Sequence, residues 1–193
     1  MSSGSELPLP NNRTILSLCD YTGTWSKPYK DAGYNVIQVD MQRGGEDVRL
    51  MKLPLEPIHG VLAAPPCTVF ALSGNRWKRT DQEMIDGISV VDACVRIAAA
   101  VKPKWWVLEN PVGKLKHWMG KPTMYFQPCD YGDPYTKRTA LWGDFNTDLA
   151  QTPTEPTEGS KMWAMYGGKS MRTKNARSAT PTGFARAFFE ANP

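Results

Sequence analysis

Pro65-Pro66-Cys67, directly after the apolar run Gly60–Ala64, is the segment of this sequence best suited to chemistry. Two prolines restrict the backbone and hold a cysteine at the exit of a strand. A nucleophilic cysteine needs a rigid, partly open, electropositive setting that favours the thiolate. Arg76, Lys78 and Arg79 in the following loop could supply part of that field. The competing reading is a buried structural cysteine in a proline turn. Glu109-Asn110-Pro111 closes a second apolar run, Lys104–Leu108. A carboxylate at a strand end in a cleft can be held protonated by desolvation and act as an acid or hydrogen-bond donor, although such tripeptides also close strands as simple turns. Cys19 and Cys94 fall inside apolar stretches and read as core. The four cysteines sit far apart with no C-x-x-C pair, so neither a zinc site nor a disulfide scaffold is expected, and reduced thiols fit an intracellular protein. His59 and His117 are the only histidines, too few for a His-rich metal site or a Ser-His-Asp triad.

The elements that must position these residues alternate. Thr14–Cys19 reads as a buried strand ending in the turn Asp20–Trp25, followed by a weak helix to about Ala32 and a stop at Gly33. Val36–Val39 is a second strand closed by Asp40, and Gly60–Ala64 is a third. From Asp81, the residues Met84, Ile88, Val91, Val95 and Ala98 recur at helical spacing along one face, and the helix ends near Pro103. Lys104–Leu108 is the next strand. Strand-helix alternation predicts an α/β fold with a mostly parallel sheet and helices on its faces. Ligands bind such sheets beyond the carboxyl ends of the strands, and Gly23, Asp40, Cys67 and Glu109 each follow a predicted strand closely. After residue 111 the pattern weakens. Tyr125–Gln127 and Thr139–Trp142 read as short strands near the sheet edge, Gln151–Ser160 as a Pro/Thr/Glu loop, Lys161–Arg177 as a basic loop that could add phosphate contacts, and Thr182–Ala191 as a closing helix.

With 193 residues, one compact domain is the default. Residues 1–12 read as a flexible tail with neither a basic n-region nor an apolar h-region, so no secretory signal is expected, and 13–193 read as a single domain. No run of about 18 apolar residues exists, which excludes a transmembrane helix. A net charge of +4 leans mildly toward an anionic partner.

Taken together, the ordered motifs resemble the DNA (cytosine-5) methyltransferase family. Ser17–Trp25 (SLCDYTGTW) looks like its first motif, the glycine loop that cradles S-adenosylmethionine. Pro65-Pro66-Cys67 with Phe70 matches its nucleophile motif, and Glu109-Asn110 matches its Glu-Asn motif. Asp130–Pro134 with Lys137-Arg138 is similar to its later tyrosine-glycine and basic motif, and Pro181–Phe184 with the closing helix sits where its last motif returns to the cofactor. The chain departs from the family in three places. Tyr21 stands where a glycine is usual. Tyr135, Lys137 and Thr139 stand where Gln, Arg and Arg are usual, which leaves Lys137 and Arg138 both open as the base-facing cation. Only 144–179 intervenes where the family carries a large target-recognition domain.

The resemblance implies a Rossmann-like S-adenosylmethionine-dependent methyltransferase fold. It also implies transfer of a methyl group to carbon-5 of cytosine in DNA, through a covalent Cys67 adduct at carbon-6. Glu109 would hold a proton against ring nitrogen-3, and Asn110 with Lys137 or Arg138 would position the ring. Asp20, Tyr21, Thr22, Gly23, Thr24 and Trp25, with Asp40 on the ribose, Met41 beside it, Asp47 on the adenine amine and Pro65, would hold the cofactor. Trp25 or Phe70 could pack on its adenine or sulfonium. Pro66, Phe70, Ser73, Asn75, Arg76, Lys78 and Arg79 would grip a flipped-out base and its phosphates. The resemblance further implies a cytoplasmic protein of a bacterial host, of phage or mobile-element origin. No metal and no membrane are implied, and the missing recognition domain leaves room for a protein partner that supplies specificity. Single-stranded DNA or a free pyrimidine nucleotide as substrate, a modified one-carbon group, and a catalytically silent DNA-binding module are the alternatives.

Overall fold

Six short runs rich in aliphatic, β-branched and aromatic residues build one sheet, as those side chains suit a pleated, half-buried surface. The computed structural model describes residues 11–72, 78–161 and 170–193. Strands β1 (Asn11–Leu18), β2 (Tyr34–Val39), β3 (Ile58–Ala63), β4 (Trp105–Pro111), β5 (Met124–Phe126) and β6 (Thr139–Asp144) lie in the order β2-β1-β3-β4-β6-β5. The first four are parallel, with Leu18 opposite both Val39 and Ala63, so their carboxyl ends share one edge. Strand β1 has β2 on one side and β3 on the other, which places the switch in strand order at its end.

The expectation of a mostly parallel sheet holds for these four strands only. Strand β6 runs antiparallel to β4, and β5 antiparallel to β6, so the sheet is mixed. This reversal matters to the site. Pro111 at the end of β4 pairs with Thr139 at the start of β6, so residues leading into β6 arrive at the same edge as the carboxyl ends of the parallel strands. It also carries β4 beyond its expected end: Glu109 and Asn110 are strand residues, opposite Leu141 and Ala140.

Helix α2 (Asp81–Val101) covers one face through Val91, Cys94, Ile97 and Ala98, packed with Leu16, Leu18, Val61 and Leu108. Thr80 caps it: its hydroxyl accepts from the Glu83 amide at 3.1 Å and Glu83 Oε2 accepts from the Thr80 amide at 2.8 Å, a reciprocal cap worth about 1 kcal/mol. The other face meets α1 (Lys27–Asp31) and α5 (Thr182–Ala191), where Trp25, Tyr29, Phe184 and Phe188 pack on Ile15, Leu62 and Val107. Neighbouring strand residues thus point to opposite cores, as a two-residue period requires. Helices α3 (Lys116–Met119) and α4 (Met171–Ser178) complete the chain. Helix α4 corrects the reading of 161–177 as loop throughout. No described helix is long and apolar enough to cross a membrane.

Candidate active site

Proline geometry and one buried amide fix Cys67. Pro65 is buried, and its carbonyl accepts from Asn110 Nδ2 at 2.9 Å, tying the turn after β3 to the end of β4. The Cys67 carbonyl then accepts from the Phe70 and Ala71 amides at 3.0 and 2.9 Å, turning the chain back. Arg79 ties the far side of the loop: its guanidinium donates to the Thr68 carbonyl at 3.1 Å and pairs with Glu83 at 3.4 Å. That tether engages both terminal nitrogens of Arg79 within the chain, while its buried Nε has no hydrogen-bond partner among the described residues. Lys78 is exposed, and Pro66 beside the cysteine is exposed too. Ser73, Asn75 and Arg76, expected at the substrate, lie outside the described residues.

Burial pushes the Cys67 thiol above its ordinary range. Lys137 pulls it down, Glu109 pushes it up and Arg177 pulls it down again. The described cations that act on the sulfur are therefore Lys137 and Arg177, rather than Lys78 or Arg79. As it stands, the site holds a neutral thiol whose ionisation depends on how Lys137 divides its charge.

Lys137 and Glu109 form a buried ion pair, Nζ to Oε1 3.4 Å. Lys137 is held from behind, its amide donating to Gln127 Oε1 at 3.1 Å and its carbonyl accepting from the Thr139 hydroxyl at 2.8 Å. Arg138 turns outward, its guanidinium 5.2 Å from the centre of the Tyr125 ring. Of the two cations that the sequence leaves open, Lys137 is the one that faces Glu109 and Cys67. Asn110 is fully buried, and its Oδ1 has no hydrogen-bond partner among the described residues. An orphaned acceptor of this kind costs about 1–3 kcal/mol.

Sequence reasoning placed Lys161 in a basic segment that could add phosphate contacts, yet it is a member of this cluster. It is 6% exposed, its ammonium donates to the Tyr135 hydroxyl at 3.0 Å, and its pKa is pulled down to about 8 by burial and then by Lys137. The only sequence signal is its arrival just after the Pro/Thr/Glu loop, which carries no information on burial.

At the ends of β1 and β2, Asp20 organises the turn. Its carboxylate accepts from the Ser17 and Ser26 hydroxyls, both at 2.9 Å, and from the Gly23 amide at 2.9 Å. Asp20 thus shapes the loop from a 5%-exposed position. Gly23 has φ +69°, and a Cβ there would meet Gln38 Nε2 at 3.2 Å; Gln38 itself donates to the Asp20 carbonyl. Tyr21 and Thr22 are exposed and Thr24 half-buried. Trp25 and Phe70 are fully buried, in contact with Phe184 and Phe188 and with Trp118 respectively. Neither ring has surface left to lie against a ligand, so the expected stacking role is corrected to a core role for both. Asp40 is half-buried and caps the 3-10 turn Met41–Arg43 through Gln42 N–H···Oδ1 at 2.8 Å, with Met41 exposed beside it. Asp47 spends both carboxylate oxygens on the Arg49 guanidinium, which holds its carboxyl below the usual range.

Two clefts open near these segments. One of about 230 Å³ is lined by Ala71, Pro111, Gln127, Lys137 and Arg138. The other, about 550 Å³, is lined by Arg49, Pro66, Thr68, Glu83 and Gly87.

No family model and no curated protein matches the chain. Its fold has a solved counterpart. The chain superposes with a TM-score of 0.51 on the crystal structure of a candidate DNA modification methyltransferase encoded within a prophage (E. coli), at 16% identity over 83% of its own length. It spans 56% of the length of that chain. The likeness establishes a shared mixed α/β fold. Among the described residues no group of His, Cys, Asp and Glu side chains is placed to hold a metal ion.

Proposed function

We propose that this chain is an S-adenosylmethionine-dependent DNA methyltransferase that modifies carbon-5 of cytosine through a covalent adduct on Cys67. The observation that carries the reading is the convergence, at one sheet edge, of a thiol with a buried carboxylate-ammonium pair. Cys67, Glu109 and Lys137 come from three separate segments and share a single electrostatic neighbourhood. A core needing only stability gains little from such a pair, since well-packed apolar residues serve as well.

The residues fit the cofactor. Asp40 ends β2 with Oδ1 engaged and Oδ2 accepting no hydrogen bond from the described residues, and burial pushes its carboxyl up. A half-buried carboxylate with a vacant oxygen suits a pair of ribose hydroxyls, and the left-handed Gly23 lets backbone approach a ligand closely. When bound, S-adenosylmethionine supplies an electrophilic methyl group.

The base enters from the Lys137 side. Glu109 accepts the proton of the Cys67 thiol and delivers it to ring nitrogen-3. Lys137, freed from part of its contact with Glu109, turns its charge toward the ring oxygen and the thiolate. The thiolate adds to carbon-6 and makes carbon-5 nucleophilic toward the methyl group that S-adenosylmethionine would supply, with S-adenosylhomocysteine as the leaving group; the carbon-5 proton then passes to water and Cys67 leaves as the thiolate. Asn110 holds the Pro65 carbonyl, so the nucleophile and the Glu109 carboxylate move as one unit.

Incubation with labelled S-adenosylmethionine and duplex DNA, single-stranded DNA or dCMP tests the reading and identifies the substrate. A 5-fluorocytosine oligonucleotide should trap an adduct that Cys67→Ser abolishes. No label on any of the three substrates would sink the proposal, and a Ser variant that still traps would remove Cys67 from its role.

A further inference from the structure

Lys161 lies outside every helix and strand, yet it joins two parts of the molecule. Its amide donates to the Thr136 carbonyl at 3.1 Å, which sets it beside the segment leading into Lys137. Its ammonium donates to the Tyr135 hydroxyl at 3.0 Å and to the Ala179 carbonyl at 3.5 Å. Ala179 is the C-cap of α4, where the helix presents partial negative charge that favours a cation.

Helix α4 reads MRTKNARS and has little apolar surface with which to hold itself in place, so its position depends on polar anchors. Asn175 supplies a second anchor, donating to Gln42 Oε1 at 3.1 Å; Gln42 in turn donates its amide to Asp40. Between the two anchors, the charge of Arg177 reaches the Cys67 sulfur. Helix α4 therefore runs from the end of β2 to the Tyr135–Lys137 segment across the edge where the site lies.

We propose that Lys161 is a positioning residue: by gripping both Tyr135 and the C-terminal carbonyl of α4, it docks that helix across the site and sets it against the Asp40 turn and the nucleophile. The functional half of this proposal rests on the methyltransferase reading; the docking half does not. Burying an ammonium among Lys137, Asp133, Glu109, Glu158 and the Tyr135 phenol is costly, which is the expected signature of a lysine placed for a task.

Hydrogen exchange on the full chain tests the docking, with Lys161→Met and the near-isosteric Tyr135→Phe. Amides of Met171–Ser178 should exchange at least tenfold faster in Lys161→Met and about threefold faster in Tyr135→Phe, with α2 unchanged in both. Wild-type exchange of these amides in Lys161→Met overturns the proposal. If Lys161→Met loses protection throughout the chain, Tyr135→Phe decides: unchanged α4 exchange there overturns it equally. Titration with S-adenosylhomocysteine reads the consequence, expected as at least a fivefold rise in Kd for Lys161→Met. A wild-type chain that binds no S-adenosylhomocysteine refutes the methyltransferase reading, while the exchange result still judges Lys161.

Discussion

The ammonium of Lys137 stands 3.4 Å from Glu109 Oε1, with the two side chains only 3% and 5% exposed. They are 28 positions apart in sequence and meet because β6 runs back along β4. Both charges have lost their water, so each depends on the other.

Breaking this pair should cost more than breaking any surface pair. Lys137→Met leaves the Glu109 carboxylate buried without its cation and is expected to lower the unfolding free energy by about 3 kcal/mol. Adding Glu109→Gln to it should restore part of the loss, because no stranded charge remains. Urea unfolding of the single and double variants measures this coupling, and additive losses would contradict it.

The same pair governs the nucleophile. The Cys67 thiol is raised by burial and by Glu109 and lowered by Lys137. Glu109→Gln removes a raising influence, so the midpoint of iodoacetamide alkylation at Cys67 should move to lower pH. Lys137→Met removes a lowering influence and should move it higher. Rates measured from pH 6 to 10, with labelling located by peptide mass spectrometry, decide both signs; a shift in one direction for both variants would refute the arrangement.

Much of this was legible in the sequence, and the parts that were not share a cause. The apolar runs placed β1 to β4, and the alternation of aromatic and small residues in TGFARAFFEA placed α5 at Thr182–Ala191, because local pattern suffices where one face is buried. Cys67 and Glu109 were recognisable because short motifs carry them. Lys161 was not, since its burial comes from Tyr135 and Ala179, 26 and 18 positions away. Helix α4 was missed because it lacks an apolar stripe, and Trp25 was misassigned because a tryptophan in a loop motif looks the same whether it faces ligand or core. The antiparallel β6, which chooses Lys137 over Arg138, is a property of strand order that spacing does not encode.

Gly23 offers a local test of the turn after β1. Its φ of +69° and its 3.2 Å approach to Gln38 leave no relaxed place for a side chain. Gly23→Ala should cost about 1–2 kcal/mol from the left-handed backbone alone. It should also weaken S-adenosylhomocysteine binding at least tenfold, because the loop opens where Asp20 and Gln38 hold it shut. Binding at wild-type strength, measured by calorimetry, would show that this turn does not line the cofactor.

Lys161 gives a pH dependence whose sign is fixed. Its pKa in the folded chain is about 8 against an ordinary 10.5, with burial the main cause, Lys137 next, and Asp133, Glu109 and Glu158 opposing. Between these two values the unfolded chain still holds a proton that folded Lys161 has released, so unfolding takes up a proton and stability gains as pH rises. Below about pH 7 both states are protonated and the contribution is flat. The unfolding free energy of the wild type, measured relative to Lys161→Met, should therefore be constant from pH 6 to 7 and climb from pH 8 to 10. Using the variant as reference cancels the titration of every other group that the substitution leaves undisturbed. A difference that falls over pH 8 to 10 would mean the ammonium is better stabilised in the folded chain than in water, and that the buried site described for Lys161 is wrong.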